Sequence, residues 1–498
     1  MDHAPLKCLN YIQGQWVPAQ SASTLERYNP ADTRELVATF PSSKAVDVEA
    51  AVHAARQAYK TWRLVPAPAR AEYVHRIGEL LLQRKEELAY LMSREMGKPL
   101  LETRGDVQEG IDCALYSAGE GRRLFGQTTP SEMRNKFAMT LRMPLGVCAL
   151  ITPWNFPVAI PCWKALPALV CGNTLILKPA QYTSACATLL FQIFEAAGLP
   201  AGVVNLVHGS GEAAGQALVE HPGVDLVSFT GSSQIGAQVG AICGRTHKRV
   251  CLEMGGKNAQ IVMDDADLEL ALEGALWGAF GTTGQRCTAT SRLILHTQIK
   301  APFTEMLLER TQKLQLGPGI APQTEVGPLV SQTQLQRVND YLDIARSEAA
   351  KVLIGGAVAS QEELKHGYFF QPTILDEVQP DSRIAREEIF GPVVALLEVH
   401  SFEEAIAVLN DTPYGLSSSV YTRDVNRAFQ AIRDIEAGIT YINGPTIGAE
   451  VHLPFGGVKQ TGNGHREAGS TALDIFTEWK TVYVDFSGHL QRAQIDNR

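Results

Sequence analysis

Apolar positions follow two patterns along the chain. In the segment after Pro68, Tyr73, Ile77, Leu80, Leu81 and Leu88 recur at about 3.6-residue spacing, so helix is expected in the first hundred residues, with a stop at Gly97 and Pro99. From Gly146 the pattern changes to short unbroken apolar runs: 146–151 (GVCALI), 174–178 (TLILK), 203–207 (VVNLV), 224–229 (VDLVSF) and 248–253 (KRVCLE), separated by helix-length segments. Runs without polar alternation are strands buried on both faces, which predicts a doubly wound, mostly parallel α/β sheet. The uncharged stretch from Gly146 to Trp163 is long enough to cross a membrane, but Pro153, Pro157 and Pro161 would break such a helix. A buried strand, turn and helix is expected there instead.

In such sheets ligands meet the carboxyl ends of the strands. The first run leads into Ile151-Thr152-Pro153-Trp154-Asn155, the second into Lys178-Pro179-Ala180-Gln181, and the third into His208-Gly209-Ser210-Gly211. The fourth leads into Thr230-Gly231-Ser232-Ser233-Gln234-Ile235-Gly236 and opens a helix, whose first N–H groups can meet a phosphate. A turn of this kind is common, and the G-x-G-x-x-G fingerprint is absent. The fifth ends in Glu253, a carboxylate beside Gly255 and Gly256, where packing alone gives no reason for a charge. Further on, Cys287 stands in GQRCTATSR, a loop of polar and small residues between a helical segment and the strand SRLIL. A cysteine is ordinarily a small inert hydrophobe, the reading taken for the other eight. Polar neighbours and the adjacent Arg286 are what a low-pKa, accessible thiolate needs, so Cys287 is the candidate nucleophile.

Composition narrows the partners. With 498 residues the chain exceeds one core, so two large domains and a smaller element are expected; 45% hydrophobic and 19% charged residues fit a soluble globular protein. A net charge of −9 without long like-charge runs argues against nucleic acid and for a small-molecule partner. Nine cysteines with no C-x-x-C pair and no His pair at zinc spacing argue against a metal site and for a reducing compartment, the cytoplasm. The N-terminal stretch MDHAPLKCLNYIQGQW has no continuous apolar core, so no signal peptide and no membrane association are expected.

PWNFP, FTGSSQIG, LEMGGKN, GQRCTATSR, EEIFGPV (387–393) and PFGG (454–457) occur in the order and at the approximate spacings of the aldehyde dehydrogenase superfamily, which the chain resembles over nearly its whole length. The resemblance implies a Rossmann-like cofactor domain (1–131 and 144–256), an α/β catalytic domain (257–478) and a β-arm (132–143 and 479–498) that makes a homodimer or homotetramer. It implies NAD or NADP as cofactor and a small-molecule aldehyde or semialdehyde as substrate. Cys287 would attack the aldehyde carbon, Asn155 and the Cys287 N–H would stabilise the oxyanion, and Glu253 would activate the water that hydrolyses the thioester. Acylating relatives that use coenzyme A lack this glutamate, which favours hydrolysis.

For the cofactor the resemblance implies Ile151, Thr152 and Trp154 at the first strand end and Lys178 on an adenosine-ribose hydroxyl. Gly209 would lie against adenine, Gly231, Ser232 and Gly236 at the diphosphate, Glu388 on the nicotinamide ribose and Phe390 against the nicotinamide. Gln181 stands where many NAD-preferring relatives carry a glutamate that repels a 2′-phosphate, so NADP is expected to be accepted alongside NAD. Phe156, Trp163 and Phe455 match residues lining the substrate tunnel in relatives. Glu102, Asp106 and Glu109 fall on one helical stripe near that wall, with Glu450 as a fourth acid, and would suit an amine-bearing aldehyde. Arg122 and Arg123 would suit an anionic semialdehyde instead, and the sequence leaves the substrate open.

Overall fold

The computed structural model describes residues 4–496; the first three residues of the stretch read for a leader and the last two of the expected arm lie outside them. Residues 4–44 are not helical. They form short strands, Asn10–Ile12 and Gln15–Val17 as one hairpin and Thr24–Asn29 with Asp32–Pro41 as another. Helix begins at Ala45, and the periodic segment is two helices, Ala67–Gln83 and Lys85–Met96, broken at Arg84, before Gly97 ends the second with φ 91°. Pro99 then precedes α1 (Leu100–Glu120).

All five apolar runs are strands: β1 (Val147–Ile151), β2 (Thr174–Lys178), β3 (Val204–Leu206), β4 (Leu226–Thr230) and β5 (Arg249–Glu253). They pair in parallel in the order β5-β4-β1-β2-β3, and the N-terminal hairpin extends the sheet beyond β3. The order reverses between β1 and β4, so the crevice that a doubly wound sheet offers to ligands opens beyond Ile151 and Thr230. Between β1 and β2 lies α2 (Ala159–Cys171), and α3 (Ser233–Arg245) follows β4. The Gly146–Trp163 stretch is thus strand, turn and buried helix, and among the described residues no helix is long and apolar enough to cross a membrane. Apolar side chains pack on both faces of the sheet, Leu150, Leu175 and Leu177 on one and Ala149, Ile176 and Val227 on the other.

A second sheet is built from β6 (Ala259–Val262), β7 (Arg292–His296), β8 (Lys351–Ile354), β9 (Thr373–Asp376), β10 (Val393–Val399), β11 (Ser417–Tyr421) and β12 (Ile439–Ile442). Its order is β8-β9-β10-β7-β6-β11-β12, parallel except for the edge strand β8. The helix α4 (Leu268–Phe280) joins β6 to the Cys287 loop. A third, three-stranded sheet pairs Lys136–Pro144 with Thr477–Asp485 in continuous register, from Thr477 opposite Pro144 to Asp485 opposite Lys136.

Candidate active site

The loop carrying Cys287 leaves α4 through a strained turn. Thr282 and Thr283 have φ of 52° and 57°, a left-handed conformation that is a rare outlier for a β-branched residue. Each such residue costs about 1–3 kcal/mol and persists only where its surroundings over-determine it. Here Glu102 of α1 does much of that: one oxygen accepts the Thr282 N–H at 3.0 Å, and the other accepts both the Thr282 hydroxyl and Arg286 Nη2, the latter at 2.8 Å. Gln285 Oε1 accepts the Val330 N–H, and Asn258 Nδ2 donates to the carbonyls of Cys287 at 2.7 Å and Ala289 at 3.0 Å. The backbone around Cys287 is therefore held from three sides.

Two cavities meet at Cys287. One, about 160 Å³, is lined by Trp154, Asn155, Gly231, Ser232, Glu388 and Phe390, and the other, about 120 Å³, by Glu109, Phe156, Trp163, Glu253, Arg286 and Phe455. Ile160, Thr230, Met254 and Cys287 belong to both walls. The thiol is not the low-pKa group its neighbours in sequence suggested. Burial, with the carboxylates of Glu388 and Glu253, pushes it up to about 12, opposed by the backbone N–H groups of Cys287 and Thr288. Arg286 does not offset this, because its guanidinium turns away to Glu102 and lies 5.0 Å from the Trp277 ring and 5.3 Å from the Phe156 ring.

Glu253 is buried, and neither carboxyl oxygen has a hydrogen-bond partner among the described residues. Burial and then the Glu467 carboxylate hold its pKa well above the usual range, against the pull of Lys164 and Arg466. Asn155 Nδ2 donates to the Gln285 carbonyl at 3.1 Å, leaving its second N–H for another acceptor.

The first cavity reaches the ends of β1 and β4, and β2 ends beside β1, Lys178 opposite Ile151. The hydroxyls of Thr152 and Thr230 are buried without partners among the described residues. Lys178, at the end of β2, has no ion-pair partner among them either, and burial alone lowers its pKa to about 8. Ser232 caps α3, its Oγ accepting the Ile235 N–H at 3.4 Å, while Gly231 donates its N–H to the Glu253 carbonyl. A Cβ at Gly236 would collide with Met254, so glycine lets α3 close onto the β5 end. Gly209 has φ 137° and packs against Ser43 and Ala214, and Gln181 is exposed at the start of a 3₁₀ turn. Glu388 accepts the Gly256 N–H at 3.0 Å, and burial raises its pKa. Phe390, at φ 62°, meets Trp154 edge-on at 5.4 Å and is held through its carbonyl by Gln334. Orphaned hydroxyls, a lysine without a partner and a capped helix N-terminus form a donor set that fits a dinucleotide.

On the second cavity, Trp163 and Phe455 contact at 4.8 Å and 70°. Phe156 lies under Lys98, whose Nζ is 3.8 Å from the ring centroid. The acidic stripe is corrected. Glu102 belongs to the loop clamp, and Asp106 is buried against Lys98 at 3.0 Å while accepting the Ala159 N–H at the start of α2. Only Glu109 faces the cavity, with its pKa raised to about 8 by burial and then by Asp106. Glu450 is exposed beside His452, Arg123 pairs with the buried Glu120 outside both cavities, and Arg122 is exposed outside both cavities, so none of the three is part of the tunnel. Sequence reasoning missed Lys98, Asn258, Gln285, and the buried pair of Lys164 with Glu467, whose carboxylate reaches the second cavity. Buried charged residues leave no local signature, since their partners lie far off in the chain.

Residues 16–482 match the model of the aldehyde dehydrogenase family. The chain is 45% identical to the alpha-ketoglutaric semialdehyde dehydrogenase of Bacillus subtilis, covering 96% of this chain and 98% of the relative. It is 43% identical to the alpha-ketoglutarate semialdehyde dehydrogenase of Haloferax volcanii, covering 96% and 99%. The crystal structure of betaine aldehyde dehydrogenase from Staphylococcus aureus in complex with NAD+ superposes with a TM-score of 0.95 at 33% identity, covering 97% of this chain and 96% of that one. With the fold, the two converging cavities and these likenesses together, the chain belongs to the aldehyde dehydrogenase family, NAD(P)-dependent enzymes that oxidise aldehydes to carboxylic acids.

Proposed function

We propose that this enzyme oxidises an anionic semialdehyde, with α-ketoglutaric semialdehyde as the substrate, by covalent catalysis at Cys287. The observation that carries the chemistry is the position of Cys287 where the two cavities join, so that an aldehyde entering from the Glu109 side meets a cofactor lying on the Glu388 side. Cys287 Sγ bonds to the aldehyde carbon. The free N–H of Asn155 and the Cys287 N–H donate to the oxyanion that forms. When bound, the oxidised nicotinamide supplies the hydride acceptor, and Cys287 is left as a thioester. Glu253 takes a proton from water, which attacks the thioester and releases the acid.

The Cys287 thiol, pushed up to about 12, holds its proton at neutral pH, and the Glu253 pKa is raised by burial and the Glu467 carboxylate, so the reactive form of each becomes more populated as pH rises. The ascending limb of activity therefore lies above neutrality. Lys178, Ser232, Gly231, Gly236, Gly209, Ile151, Thr152, Trp154, Glu388 and Phe390 would hold the dinucleotide, and Phe156, Trp163 and Phe455 would enclose the aldehyde. The anionic substrate is supported by the names of two relatives above 40% identity and by the permanent charge of Arg286 in the cavity wall.

Residues 1–131 with 144–256 serve as the cofactor domain and 257–478 as the catalytic domain in this reading. The sheet of Lys136–Pro144 and Thr477–Asp485 exposes Phe137, Leu141, Trp479 and Tyr483, apolar surface suited to pairing copies as a homodimer or homotetramer. Nine free cysteines suit the cytoplasm. A panel of carboxylate-tailed, uncharged and cationic aldehydes, followed at the reduced-nicotinamide absorbance band, tests the reading: the keto acid semialdehyde should show the highest kcat/KM. Equal efficiency across the panel would contradict it.

A further inference from the structure

Most charges around the aldehyde cavity cancel in pairs; Glu253, which faces Arg466, and Glu109 do not. Arg286 is paired with Glu102, Lys98 with Asp106, and Lys164 with Glu467. Glu109, on α1, lines the cavity and has no hydrogen bond or ion pair among the described residues. Asp112 on the same helix accepts a hydrogen bond from Gln108, Tyr441 of β12 is a phenol whose own pKa is raised, and the neighbouring thiols Cys113 and Cys162 are buried and neutral. Beyond Glu253 and Arg466, the charge met by the tail of an aldehyde therefore turns on the protonation of Glu109. Arg286 contributes through donors it has not used: Nε binds Thr282 and Nη2 binds Glu102, while Nη1 has no partner among the described residues.

We propose that Glu109 reads the charge of the aldehyde tail: as the acid it donates a hydrogen bond to the carboxylate or oxo group of an anionic semialdehyde beside Arg286, and as the carboxylate it repels that tail. This rests on the anionic-substrate reading above. A donor to a charged acceptor is replaced on ionisation by a like charge in a partly enclosed site, a change that moves selectivity by about tenfold or more. Burial and Asp106 place the ionisation of Glu109 near pH 8, so the acid form prevails below that and the preference for an anionic tail is lost above it.

The test is the ratio of kcat/KM for α-ketoglutaric semialdehyde to that for pentanal between pH 6.5 and 9, in the wild type and in Glu109→Gln. Titration of Cys287 and Glu253 in the chemical step affects both aldehydes and cancels in the ratio. The ratio should fall about tenfold through pH 8 in the wild type and stay level in Glu109→Gln, whose amide donates at every pH. A permanently cationic aldehyde, 4-trimethylammoniobutanal, should move the opposite way. A flat wild-type ratio, or a fall that persists in Glu109→Gln, overturns the role of Glu109 while leaving the substrate class intact. A ratio at or below one at every pH, with pentanal still oxidised, overturns the anionic-substrate reading and this inference with it.

Discussion

The two cavities that meet at Cys287 are built on different principles. The cofactor side uses strand ends, glycines and orphaned hydroxyls, with Lys178 as a charge awaiting a partner. The aldehyde side is walled by aromatic rings and by ion pairs already satisfied within the protein, Arg286 with Glu102 and Lys98 with Asp106. Unpartnered polar groups suit a ligand that brings its own acceptors and donors, whereas satisfied pairs fix geometry. Recognition is therefore expected on the first side to respond to changes in single donors, and on the second to changes in the support of the loop and in the one unpaired acid of its wall besides Glu253, Glu109.

Apart from loss of Cys287 itself, the largest expected effect sits between the two. Glu253→Gln should lower steady-state turnover by about 10²–10⁴-fold by removing the base that activates water. A single-turnover burst of reduced cofactor should survive, because acylation precedes that step. Loss of the burst as well would move Glu253 to activation of Cys287, and an unchanged steady-state rate would remove it from both steps.

On the aldehyde side, Glu102→Gln withdraws the carboxylate that holds Thr282 in its left-handed turn and leaves Arg286 uncompensated. Breaking a buried pair in this way destabilises by about 3–5 kcal/mol. Denaturant unfolding should register that loss, and kcat/KM should fall for every aldehyde alike while cofactor affinity is kept. A selective loss for anionic aldehydes would mean that Glu102 acts on the substrate rather than on the loop.

The contrast between the sides also explains what could be read from the sequence. Cofactor positions lie within a few residues of a strand end, and unbroken apolar runs such as TLILK mark those ends locally. The clamp on Thr282 comes from a residue 180 positions away, and nothing near Glu102 announces it. Arg286 misled for the same reason: adjacency to Cys287 in the chain does not decide where a long side chain points, and Glu102 draws it away. The acidic stripe was correctly placed on a helix, but periodicity cannot distinguish Glu109, which opens to the cavity, from Asp106, which is buried against Lys98. The early helical reading failed over residues 10–41, where short hairpins take their place from partners in the sheets.

The smallest effect expected is on the cofactor side. Gln181→Glu should cut kcat/KM with NADP by about tenfold and leave NAD nearly unchanged, since it restores a charge that repels a 2′-phosphate. In the wild type the NADP to NAD ratio should fall as pH rises through about 8, where the Lys178 ammonium is lost. A ratio independent of pH, or equal losses with both cofactors in the variant, would place neither residue at the 2′ position.

The account stands on a covalent reaction at the junction of the cavities, and Cys287→Ala tests it most directly. With cofactor binding verified by titration, the variant should produce no reduced nicotinamide from α-ketoglutaric semialdehyde, because no thioester can form. Sustained turnover by that variant, with cofactor bound, would contradict the mechanism.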